Sequence, residues 1–146
     1  MTEATVTLVD GMQFVVETGS GHSLTIDSTP DVGGRDTGPR PMELLAAGVA
    51  GCTAIDVISI LRKMQQKVTG LKVCVSGEQA DEHPKRFLSL HIQYTVIGYD
   101  LAEDRVARAI ELSETKYCPA IASLRPGAPV TTSFTIVQAD QETTKK

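Results

Sequence analysis

Three thiols, Cys52, Cys74 and Cys118, are the most reactive side chains in the sequence. A thiolate can attack the O–O bond of a peroxide, and the sulfenic acid left behind oxidises further unless a second thiol captures it as a disulfide. A nearby second thiol therefore protects the first from irreversible oxidation. Cys52 and Cys118 are 66 positions apart, which is no obstacle provided that their Cα atoms come within about 7 Å. An odd number of cysteines argues against a structural disulfide framework. His22, His83 and His91 have no ligand spacing to one another or to a cysteine, so a zinc site is not expected.

The elements that must position these thiols follow from residue pattern. Cys52 is central to the longest apolar run, Pro41 to Leu61, which opens on proline, carries Glu43 in its first turn and ends at Arg62-Lys63. Those are the marks of one long helix. Its apolar residues cover nearly every face, so it is expected to be buried in the domain or between two chains. The run has the length of a membrane span, but Asp56, Gly48 and Gly51 within it and amphipathic segments on both sides argue for a core helix and no membrane.

Upstream, short apolar runs around Val6, Val15 and Leu24 are separated by Asp10-Gly11 and Gly19-Ser20-Gly21, predicting a three-stranded meander. Residues 28–40, rich in Pro, Gly, Asp and Thr, form a loop leading into the helix and carry Arg35 and Arg40. Downstream, Val73 and Val75 alternate with Lys72, Cys74 and Ser76, which places Cys74 on the polar face of a strand that pairs with a second strand over Phe87 to Ile97. Asp100 to Tyr117 reads as an amphipathic helix with Asp100 as its cap. A short helical turn follows Cys118-Pro119, Val130 to Val137 is a last strand, and 139–146 is a flexible tail. By spacing alone, Cys118 ahead of a helix-opening proline has the better claim to a lowered pKa, whereas Cys52 sits mid-helix and needs a cation.

Grouped rather than alternating strands and helices make this an α+β chain, a mostly antiparallel six-stranded sheet backed by helices, in a single domain of residues 1–146. The helix is more apolar than one sheet face requires, and a homodimer is expected. The net charge of −4, with a pI near 5.3 and scattered lysines and arginines, argues against nucleic acid or anionic lipid as partners. The first residues lack the organisation of a secretory signal, so the expected location is cytoplasmic.

The combination Pro41-Met42-Glu43-Leu44-Leu45, Gly51-Cys52-Thr53 and Lys116-Tyr117-Cys118-Pro119 resembles the OsmC/Ohr family of osmotically induced and organic-hydroperoxide-resistance proteins, and the continuation Ala54-Ile55-Asp56-Val57 resembles its YhfA-like branch. The resemblance implies an OsmC-like fold, an intertwined homodimer with two sites at the subunit interface, and a thiol-dependent peroxidase acting on organic hydroperoxides. It further implies that Cys52 attacks, that Cys118 resolves, that a dithiol, in the family typically a lipoylated protein, resets the disulfide, and that no metal or other cofactor takes part. In much of the family a catalytic glutamate lies ten positions before the first cysteine; here Met42 holds that place and Glu43 follows it. On a continuous helix Glu43 would point away from Cys52 and lie about 13 Å from it along the axis, so only a break in the helix or a second subunit brings the two together. Otherwise Glu43 serves the helix dipole.

Arg35 is the arginine nearest the family's catalytic position, with Arg40 closer to the helix. Asp56, one turn after Cys52, either anchors an arginine or bonds to backbone or Ser59; with Met42 and Tyr117 it is a candidate for the substrate pocket. The competing function is a non-catalytic dimer that binds a small molecule or senses redox state.

Overall fold

A computed structural model describes residues 1–140; the expected tail over 139–146 falls mostly outside them. The chain forms two compact units, Met1–Leu45 and Ala46–Lys146.

The first unit is the expected meander. Strands β1 (Ala4–Asp10), β2 (Gln13–Thr18) and β3 (Ser23–Ile26) pair antiparallel in that order. Gly11 adopts φ +56° in the tight β1–β2 turn, a conformation that favours glycine. The sheet buries little of its own: Val16 is enclosed, whereas Val6, Leu8 and Leu24 remain exposed.

Asp27 organises the 28–40 loop. Its buried carboxylate accepts from the amides of Ser28, Arg35 and Thr37 at 2.7, 3.2 and 3.2 Å and from the Thr37 hydroxyl at 2.5 Å. The Thr37 hydroxyl leads these bonds in holding Asp27 down to about 2, against the opposing effect of burial.

Helix α1 runs unbroken from Pro41 to Lys63. Its start is closed as the reaching-back half of a capping box: Glu43 Oε2 accepts from the Arg40 amide at 2.8 Å.

In the second unit, β4 (Lys67–Gln79) and β5 (Phe87–Tyr99) form the expected long antiparallel hairpin. Strand β6 (Val130–Gln138) joins the other side of β5 in parallel. The strands thus form two three-stranded sheets within the chain. A parallel neighbour needs a crossover connection, supplied here by α2 (Glu103–Leu112), a π-helical turn (Ser113–Tyr117) and α3 (Pro119–Leu124).

Strand β5 turns Leu90, Ile92, Tyr94 and Val96 into the core, as its period-two pattern requires. Val49, Thr53, Val57 and Leu61 of α1, four residues apart, form the matching buried stripe. Each Val or Leu enclosed there contributes about 1.5–3 kcal/mol. The rest of α1 is partly or fully open within the chain, and Ile55 is 70% exposed.

Asp100 does not cap α2. It stands at φ +49°, and Ala102 occupies the cap position without a side-chain bond. The Ala102 amide is instead held by Gln66 Oε1 at 3.0 Å. An aspartate tolerates the left-handed turn that ends β5 better than most residues do, and that local use prevails over capping.

Candidate functional site

Both expected thiols belong to the core of the second unit. Cys118 is buried in the central cluster, and half-buried Cys52 packs against it. Each is a free thiol. Proline at position 119 opens α3 and leaves Cys118 at its N-cap, where Sγ accepts from the Ile121 amide at 3.5 Å. The Cys118 amide in turn donates to the Ser113 carbonyl at 2.9 Å, so the π-helical turn holds this cysteine from the other side.

The expectation of a lowered pKa at Cys118 fails. Burial pushes its thiol up to about 11, outweighing the Ile121 amide, and Cys52 adds to the rise as a hydrogen-bonding and like-charged neighbour. A helix of six residues gives few aligned amides, and here desolvation prevails.

Beside the thiols runs a buried chain of oxygens that sequence reasoning missed. Tyr94 Oη lies 2.7 Å from Thr53 Oγ1, Thr53 Oγ1 lies 2.8 Å from Ser113 Oγ, and Ser113 Oγ donates to Asp56 Oδ2 at 3.0 Å. Thr53, Tyr94 and Ser113 are fully enclosed. Burial pushes the Tyr94 phenol up to about 12; its bond to Thr53 acts the other way, and the charges of Cys118, Glu114 and Asp56 add to the rise. Its members come from α1, β5 and the π-helical turn, and no local motif joins them. The one available signal was the polar Thr53 and Asp56 inside an apolar helix.

Asp56 is thus a satisfied polar group, as one of its readings expected, but its partner is Ser113 rather than Ser59. It also reaches a cleft of about 360 Å³, whose walls include Ile60, Lys63, Met64, Leu112 and Tyr117. Two of the three expected pocket residues, Asp56 and Tyr117, therefore share one concavity. Met42 belongs to the first unit, half-buried on the first turn of α1.

The remaining candidates have local partners. Arg35 pairs with Asp10 at 2.8 Å on an exposed surface, Arg40 pairs with Asp36 at 2.5 Å, and Glu43 is engaged by the Arg40 amide. Cys74 is exposed on β4 opposite Gln93. Among the described residues, no three His, Cys, Asp or Glu side chains gather as a metal site.

Residues 34–133 match the OsmC-like protein family, to which this chain therefore belongs. Protein YhfA of Escherichia coli is 36% identical over 137 residues, covering 94% of this chain and 99% of its own. The crystal structure of a hypothetical protein from Aquifex aeolicus superposes with a TM-score of 0.84 at 27% identity, over 96% of this chain and 98% of that one. An organic hydroperoxide resistance protein from Legionella pneumophila shares the fold, with a TM-score of 0.67 at 18% identity, over 92% and 96% of the two chains.

Proposed function

We propose that the protein is a thiol-dependent peroxidase that reduces organic hydroperoxides. The observation that carries this reading is that two free thiols share one core: Cys118 lies in the buried cluster and Cys52 packs against that cluster. The Cys52 thiolate attacks the hydroperoxide, the O–O bond breaks, and the alkoxide takes a proton to leave as an alcohol. Cys52 is then a sulfenic acid. Cys118 displaces its oxygen, an S–S bond forms as the S–O bond breaks, and the departing hydroxide leaves as water with the Cys118 proton. A dithiol reduces the disulfide by exchange and is itself oxidised. In this scheme its source is a lipoylated protein, and the location is the cytoplasm, where thiols stay reduced.

The reading includes a homodimer. Its support is the uncovered apolar surface of α1, Ile55 above all, in a helix whose opposite stripe is enclosed. Because α1 has no break, a second copy is the remaining route by which Glu43 could serve Cys52.

A non-catalytic or redox-sensing module is the second reading, favoured by the local engagement of Arg35 and Glu43. Steady consumption of cumene hydroperoxide with dihydrolipoamide as reductant separates the two. A peroxidase turns over many times and loses that activity in Cys52→Ser, whereas a sensor reacts once.

A further inference from the structure

The cleft beside α1 has two charges in its walls that the chain itself does not consume. Asp56 gives Oδ2 to the Ser113 hydroxyl at 3.0 Å, and its Oδ1 accepts no bond within the chain. Among the described residues, no fully buried side-chain oxygen lacks a partner, so Oδ1 is open to solvent. Asp56 is a wall of the cleft of about 360 Å³, and that cleft is the opening its free oxygen faces. Lys63, another wall of the same cleft, is exposed and pairs with no carboxylate among the described residues.

The two charges belong to one face of an unbroken helix. Seven residues turn about 700°, close to two full turns, and rise about 10.5 Å. Ser59 and Ile60 lie between them on that face, and Met64, Leu112 and Tyr117 complete the walls. The result is a largely apolar trough with an anion toward one end and a cation toward the other. The charge at Asp56 exceeds what the interior requires. A neutral amide oxygen could accept from Ser113 as well, without the desolvation that a carboxylate suffers in an apolar helix. Held from behind by Ser113, Thr53 and Tyr94, the carboxylate presents Oδ1 as a fixed acceptor for a donor that arrives through the cleft.

We infer that the cleft binds a short zwitterion with an apolar middle, its ammonium group on Asp56 Oδ1 and its carboxylate on Lys63 Nζ. A peptide of about three small apolar residues spans about 10 Å when extended, and a linear ω-amino acid of the same span presents the same ends. The volume of about 360 Å³ is at the small end of ligand sites, which suits a molecule of that size. Its apolar middle displaces water from Ile60, Met64 and Leu112. A ligand with a single charge satisfies one end of the trough and leaves the other unmet. All the residues invoked belong to the second unit, and Cys52 is not among the walls, so the site stands independently of the peroxidase reading.

The test is a titration of the native, fully reduced chain with ω-aminooctanoate, read from the amide shifts of α1 and the π-helical turn in ¹H–¹⁵N spectra with no peroxide present. Octylamine and octanoate each lack one of its charges, and ω-aminobutanoate is too short to reach both ends. The zwitterion is expected to bind about tenfold more tightly than each of these three, the worth of one charge-assisted hydrogen bond. Asp56→Asn keeps an acceptor for Ser113 and is expected to weaken ω-aminooctanoate about tenfold without weakening octanoate. Lys63→Gln is expected to weaken it by a similar factor and to leave octylamine unchanged. Because Lys63 is exposed, its variant carries the test if the Asp56 variant does not fold. Equal binding of octylamine, octanoate and the zwitterion would mean an apolar cleft that makes no use of its charges. Equal binding of ω-aminobutanoate would mean that the two ends do not act together. Either result overturns the proposal, as does the absence of saturable shifts with all four compounds. Peroxide turnover is measured separately, so failure of this site and failure of the peroxidase reading give different results.

Discussion

Thr53 Oγ1 stands 2.8 Å from Ser113 Oγ, and this bond ties the middle of α1 to the residue whose carbonyl holds the Cys118 amide. It lets a helix and a π-helical turn fix two thiols relative to each other with no covalent link between them. Thr53→Val keeps the shape of the side chain, strands the Tyr94 hydroxyl and leaves Ser113 bonded to Asp56 alone. The expected cost is about 1–3 kcal/mol in urea unfolding, with slower disulfide formation between Cys52 and Cys118. A variant as stable as the native protein would mean that the buried hydroxyls find other partners.

Acid sensitivity centres on the first unit. The folded Asp27 carboxyl is held to about 2, below its ordinary value of 3.8, so its contribution is complete above about pH 4 and is lost as pH falls through 2. Asp27→Asn is expected to flatten stability across that interval and to lower the melting temperature at neutral pH by several degrees, because the amides of Ser28, Arg35 and Thr37 lose an anionic acceptor. Thermal melts from pH 2 to 7 check both effects.

Alkaline sensitivity centres on the second unit. Cys118 moves from 9.0 to about 11 and Tyr94 from 10.0 to about 12, each chiefly by burial. The folded state retains protons that the unfolded chain releases, so stability falls as pH rises from about 9 to 12. Tyr94→Phe is expected to flatten the upper part of that decline, read from melts between pH 8 and 12.

Gly77 packs against the Phe87 ring so closely that a Cβ there would overlap it. Gly77→Ala is expected to destabilise the β4–β5 hairpin by about 1–3 kcal/mol, measured by urea unfolding. An unchanged midpoint would show that the ring swings aside freely.

The exposed side of α1 bears on assembly. Ile55→Glu places a charge on a residue that is 70% exposed within the chain, so a monomer would tolerate it. Light scattering is expected to show a native dimer and a variant shifted toward monomer, with little change in monomer secondary structure.

Much of the fold was legible because local pattern and final burial agree. Pro41 and Arg62-Lys63 bracket α1, and Val73 and Val75 flanking Cys74 give the facing of β4. The parallel placement of β6 was not legible, because alternation in Val130 to Val137 identifies a strand but carries no information on its direction. Asp100 misled because the same residue type suits a cap and a left-handed turn. Cys118 misled because the residues next to it announce a helix start, while the desolvation that prevails comes from residues far away in sequence. The hydroxyl chain is a long-range feature throughout: Thr53 and Ser113 are 60 positions apart.

The most direct test of the two-thiol site is peptide mapping by mass spectrometry, under non-reducing conditions, after one equivalent of cumene hydroperoxide is added to the reduced protein. The expected product has lost two hydrogens and contains a peptide linked through Cys52 and Cys118, with Cys74 still a thiol. Recovery of both Cys52 and Cys118 as free thiols, while a control peroxidase consumes the same reagent, would contradict the assignment.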